Sequence, residues 1–111
     1  MLDSLHEGAT LSITFIESPT PGHVGTADDV AVCVVRCIEG TARLGMVFQH
    51  PRTTAGLRLS SIEWYGRQAD QLDTVHSGKV TLTGVGAETL CRRDVLSSVL
   101  HGYPVVSQDR L

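Results

Sequence analysis

The sequence predicts an all-β fold of several short strands, a β-barrel or sandwich. Three observations lead there. Apolar and β-branched residues recur with a period of two in short runs, the pattern of half-buried strands. Gly- and Pro-bearing segments break those runs: Ser18-Pro19-Thr20-Pro21-Gly22, Gly40-Thr41-Ala42-Arg43, His50 to Gly56 and Ser77-Gly78. Eleven Gly, eleven Thr and many Val leave little of the Ala/Glu/Lys/Leu mixture that long helices use. The 111 residues fit one domain, and a chain of that size buries roughly two-thirds of its unfolded surface without needing disulfides or metal.

Residues 1–10 are expected to be a polar lead, 11–96 the barrel and 97–111 a C-terminal extension. Leu11 to Ile16 alternates as a first strand, ended by the Pro-rich loop that follows and runs to about Asp28. Val30 to Ile38 is β-branched and apolar on both parities, the strongest strand in the chain. Gly40 to Arg43 should turn it back into Leu44–Phe48. In the next strand, Leu57 and Leu59 share one parity while Ile62 and Trp64 share the other. Both pairs reach one core only if a residue is inserted, which places a β-bulge at Ser60-Ser61. A brief pairing at Gln68–Leu72, a clean alternation at Lys79–Thr83 with Val80 and Leu82 inward, and a last short strand at Asp94–Leu96 complete the barrel.

Charge and cysteines narrow the functional classes. Net charge is −3, yet the first 35 residues carry Asp3, Glu7, Glu17, Asp28 and Asp29 with no Lys or Arg, a sum of −5. From Arg36 onward nine basic residues, eight of them Arg, outweigh seven acidic ones. That lacks the dense cationic face of a nonspecific nucleic-acid binder but leaves room for focused arginine contacts. Three irregularly spaced cysteines make no disulfide framework. The N-terminus has no secretory pattern and no run spans a membrane, so the expected compartment is the cytoplasm.

Motifs for chemistry are absent or incomplete, and no enzyme activity is expected. Gly40 to Gly45 echoes a phosphate loop, but Met46-Val47 stands where Lys and a hydroxyl residue should follow, so no nucleotide is expected to bind. Cys33 and Cys37 lie on one strand; four residues span about 13 Å there, too far to share a zinc, so they read as core residues and no metal or other cofactor is expected. His76-Ser77 near Asp73 reads as a solvated turn rather than a nucleophile with its base. Trp64, on a core parity, reads as a core anchor.

The turns and strands from Val30 to Leu96 resemble the second domain of translational GTPases, the barrel that follows the G domain in elongation factor Tu and its relatives, and the resemblance implies a small closed β-barrel rather than a sandwich. Val34 to Gly45 looks like that family's G-x-V-x-x-G-x-x-[KR]-x-G-D strand, turn and strand. Ile62-Glu63-Trp64-Tyr65 looks like its [IV]-E-x-[FY] segment. His76 to Gly84 and Arg93-Asp94-Val95-Leu96 look like A-G-x-x-V-x-L-x-L-x-G and [RK]-G-D-V-L. Gly40, Gly45 and Gly78 fall where tight barrel turns tolerate positive φ. Met46 replaces the family's Asp, and Arg93 stands where Gly usually precedes Asp94; both departures predict altered turns. The 111 residues hold no G domain, so GTPase activity is not carried over. The residues with which elongation factor Tu grips the aminoacyl end have no counterparts, so tRNA binding is not transferred.

The resemblance implies a binding surface rather than an active site, with two competing occupants. One is RNA or the ribosome, met by a rim of His50, Arg52, Arg58, Tyr65 and Arg67. The other is a protein partner, most simply a second copy. By analogy with the family, Cys33, Val35 and Cys37 point inward, so Val30, Val32, Val34 and Ile38 form an outer apolar stripe interrupted by Arg36. A stripe of that kind calls for a cover, either the chain's own Val99 to Val106 or a homodimer partner.

Overall fold

The spine of the fold is one long bent strand. A computed structural model describes residues 8–20 and 29–99, with the backbone alone for 18–20. The predicted lead before Gly8, the loop at 21–28 and the extension after Val99 lie outside the described residues. The strands are β1 (Ala9–Thr20), β2 (Val30–Arg43), β3 (Val47–Gln49), β4 (Gly56–Trp64), β5 (Arg67–Gln68), β6 (Gln71–Asp73), β7 (Ser77–Thr83) and β8 (Val95–Ser97). All pairings are antiparallel, in the order β3-β4-β7-β2-β1-β8, with β5 on β4 and β6 on β2. A bridge between Phe48 and Ser98, with Val99 N–H donating to the Val47 carbonyl at 2.9 Å, joins the two ends. The sheet is thus an almost closed barrel, as the resemblance implies. Ser97–Val99, assigned to the extension from the sequence, belong to the closure. Among the described residues no helix is long and apolar enough to cross a membrane.

Parity decides the core. On β2, Ala31, Cys33, Val35 and Cys37 are buried, and they meet Leu11 and Ile13 of β1, Leu57, Leu59 and Ile62 of β4, Val80 and Leu82 of β7 and Leu96 of β8. Each such Leu, Ile or Val contributes about 1.5–3 kcal/mol by leaving water. The predicted bulge is present. Leu59 pairs with Leu82 while Ser61 pairs with Thr81, leaving Ser60 extra, and its hydroxyl lies 3.2 Å from the Thr81 carbonyl. That single insertion is what puts Leu59 and Ile62 in the same core.

A second bulge escapes the alternation pattern. Ile13 pairs with Val35 but Phe15 with Val34, so Thr14 is extra and its hydroxyl donates to the Val34 carbonyl at 3.1 Å. The insertion turns Phe15 outward, 52% exposed, although its parity with Leu11 and Ile13 points in. β1 also runs on to Thr20 through Pro19, past its expected end. β8 pairs with β1 only at Thr10–Ser12, so among the described residues Pro19 has a neighbour on one side alone, where its missing N–H costs little.

The turns correct three expectations. Gly40 is not in a turn but at a kink within β2, with φ 69°, and a Cβ there would run into the Gly8 carbonyl. The reversal falls at Leu44-Gly45, where Met46 N–H donates to Arg43 O at 3.1 Å. Gly78 lies in β7 without positive φ; a Cβ would sit 3.1 Å from the Glu63 carbonyl and 3.2 Å from Leu72, so close approach explains it. Arg93 keeps the left-handed backbone that its glycine-favouring position implies, with φ 75°, so the turn is retained rather than altered. Met46 packs against the core and its sulfur accepts from Arg43 N–H at 3.3 Å.

Candidate binding surface

The five rim residues do not form one rim. His50 is buried, 2% exposed, beneath the β3–β4 loop. Its Nδ1 accepts from Arg52 N–H at 3.1 Å, so the ring proton sits on Nε2 and is given to Thr89 Oγ1 at 2.7 Å. Thr89 Oγ1 in turn donates to the Gly86 carbonyl at 2.7 Å, ordering the short 3-10 turn Ala87–Thr89. A histidine with both nitrogens engaged under the surface is a structural bolt. The sequence signal for a surface residue, a His-Pro loop, carries no information about the depth of the ring.

Arg52 is also committed. Its two Nη atoms bond the Asp94 carboxylate at 2.9 and 3.0 Å, and Nη2 adds the Thr89 carbonyl at 2.8 Å. The guanidinium beside it, with the Cys91 N–H, holds the Asp94 carboxyl below its usual range despite partial burial. Arg58 and Arg67 are exposed, and neither makes an ion pair among the described residues. Arg58 lines a shallow cleft with Val47, Gly56, Thr83 and Val85, while Arg67 pairs with Trp64 around the far corner of β4.

Trp64 is not a core anchor. It shares a parity with Ile62, but β7 leaves β4 at Glu63, so Trp64 lies one step beyond the last barrel pair and is 39% exposed. Its ring meets Tyr65 edge-on at 4.9 Å and His76 at 5.2 Å. With Gln71, Leu72, Asp73 and His76 it lines a groove across the barrel end. Tyr65 and Gly66, both at positive φ (54° and 77°), link Trp64 to Arg67 as a two-residue type I′ turn. Tyr65 is 86% exposed.

The outer stripe on β2 is where parity puts it: Val30, Val32 and Val34 are half-buried and Ile38 is exposed. Outward Phe15 pairs with Val34 and widens it. Lys79, bridging Glu17 at 3.2 Å and Glu63 at 3.7 Å, flanks it with charge. Cys33 and Cys37 are core residues, and burial pushes the Cys33 thiol up to about 12. Among the described residues no three His, Cys, Asp or Glu side chains cluster closely enough to hold a metal ion.

No protein-family model and no curated protein matches the sequence. Among solved structures, the fold is similar to that of GDP-bound aIF5B from Aeropyrum pernix. The TM-score is 0.60 at 21% identity, over 87% of this chain. The likeness is one of fold. This chain spans 16% of the length of that protein.

Proposed function

We propose that this chain is a non-catalytic, translation-factor-like barrel, a cytoplasmic accessory domain that associates with RNA or the ribosome. The observation that carries the reading is the fold shared with aIF5B over 87% of the chain, in line with the motif order from Val34 to Leu96. Folds host many functions, so the surface has to supply the rest. Arg58 and Arg67 are the rim residues left to contact phosphate, since Arg52 is spent on Asp94 and His50 is buried.

The test is sedimentation with ribosomes and with total RNA at low and high salt. Binding should weaken steeply with salt. Changing Arg58 and Arg67 together to Ala should flatten the log–log salt slope by roughly 1 to 2, about one for each phosphate no longer neutralised. No binding by the wild-type protein at low salt would retire the reading.

A protein-docking role is the second reading, and outward Phe15 beside Val34 is what favours it. Its most direct form is a two-fold homodimer through the β2 outer face. A dimeric parent made monomeric, still folded, by Val32→Asp supports this reading; a monomeric parent at all concentrations opposes it.

A further inference from the structure

Two strained turns frame the groove at the barrel end. Tyr65 occupies the first central position of a type I′ turn, where Asn is favoured and a bulky ring is not. Val75, a β-branched residue at φ 66°, closes the β6–β7 turn, which is tied to β2 by Val75 N–H to Cys37 O at 2.7 Å and Cys37 N–H to His76 O at 3.0 Å. Each conformation is disfavoured for a residue with a Cβ and persists only because the surroundings hold it. Between these turns Trp64 and Tyr65 meet edge-on at the surface, 4.9 Å apart, with His76 of the opposite turn 5.2 Å from Trp64.

The groove has the parts a base needs. Trp64 offers an apolar face, and Leu72 lies in the floor, 2% exposed. Gln71 and Asp73 line one side; the Gln71 amide donates to Asp73 Oδ1 at 3.0 Å, and Thr41 Oγ1 donates to the same oxygen at 3.2 Å. That pair is oriented before any ligand arrives and presents both donor and acceptor to a base edge. Directly opposed residues on antiparallel strands share a face. Arg67 opposes Trp64 and Arg43 opposes Gln71, so an arginine stands at each flank of the groove. Neither is ion-paired among the described residues, which leaves two cations for the phosphates on either side of a splayed base.

The geometry points to a stacking site for one unpaired RNA base, with Trp64 as its platform, Tyr65 as its outer wall, Gln71 and Asp73 at the base edge, and Arg43 and Arg67 on the flanking phosphates. The inference rests on the RNA-associated reading and gives it a place and a ligand class. It keeps Tyr65 and Arg67 of the rim and adds Trp64, Gln71, Asp73 and Arg43, which lie outside it.

Trp64 is the chain's one tryptophan, so its fluorescence reports on the site directly. The full chain is titrated with single-stranded oligoadenylate, with the same sequence in duplex form, and with an oligoarginine peptide, while a dye-labelled RNA follows binding independently by anisotropy. Saturable quenching of Trp64 by the single strand and not by the duplex is expected. Tyr65→Asn retains Trp64 and relieves the turn; it should raise the Tm while weakening single-strand binding roughly tenfold, since a base–aromatic stack is worth that order. Trp64→Phe, which keeps a ring in place, should bind more weakly than wild type yet better than Trp64→Ala. Anisotropy that shows salt-dependent RNA binding with no quenching and no effect of Tyr65→Asn overturns the site and leaves the RNA reading standing. Absence of RNA binding overturns both. Quenching by the arginine peptide alone reassigns the groove to a cationic protein segment and also overturns the proposal.

Discussion

Arg52 and Asp94, 42 positions apart, are joined by a two-pronged ion pair at 2.9 and 3.0 Å that locks the β3–β4 loop to the turn before β8. Asp94 also accepts from the Cys91 N–H at 2.7 Å, so one carboxylate organises both the turn and the loop facing it. Its place in this network holds the Asp94 carboxyl below the usual carboxylate range. A carboxyl depressed in the folded state adds stability that is present above its unfolded value and is lost as pH falls through the folded one. Asp94→Ala should therefore cost about 1–2 kcal/mol near neutral pH, the scale of a charge-assisted hydrogen bond. Urea melts in strong acid, below the folded value, should show wild type and variant converging; a gap that persists there would remove the carboxylate from the explanation.

Arg93 should gain from becoming glycine. It sits at φ 75°, a region that costs an ordinary residue roughly 1–2 kcal/mol, part of which is given back as extra chain entropy in the unfolded state. Arg93→Gly should raise stability by about 0.5–1 kcal/mol while Arg93→Ala should not. Chemical denaturation midpoints decide it.

Gly40 and Gly45 separate steric from conformational cost. Both have positive φ, but a Cβ at Gly40 meets the Gly8 carbonyl whereas Gly45 has open space. Gly45→Ala should lose about 1 kcal/mol, and Gly40→Ala more than about 2 kcal/mol. Equal losses would mean that the β1–β2 approach at Gly8 is not tight.

Thiol accessibility should split one to two. Cys91 is exposed, Cys33 and Cys37 are buried, and burial raises both of the latter, Cys33 to about 12. Only thiolate reacts. Mass spectrometry after brief alkylation of the folded chain in mildly alkaline buffer should find one modified cysteine, at position 91. Rapid labelling of all three would contradict the packed core between β2 and β4.

Strand positions, the inward parity of β2 and the bulge at Ser60 follow from short-range pattern, because a strand repeats every two residues and a one-residue insertion leaves a visible break between Leu59 and Ile62. The bulge at Thr14 leaves no such break. Leu11, Ile13 and Phe15 alternate as if all faced in, and only the pairing of Phe15 with Val34 shows otherwise. The candidate site is legible in part: Tyr65 and Arg67 stand in it, whereas Trp64 reads as core until the strand partner that would bury it ends at Glu63. His50 and Arg52 read as rim because a loop sequence says nothing of what lies opposite it. Thr89 and Asp94, about forty residues away, hold the one beneath the surface and bind the other. Local alternation sets which face a strand presents, but which residues end up beneath another segment depends on contacts between distant parts of the chain, and those are made only when the barrel closes.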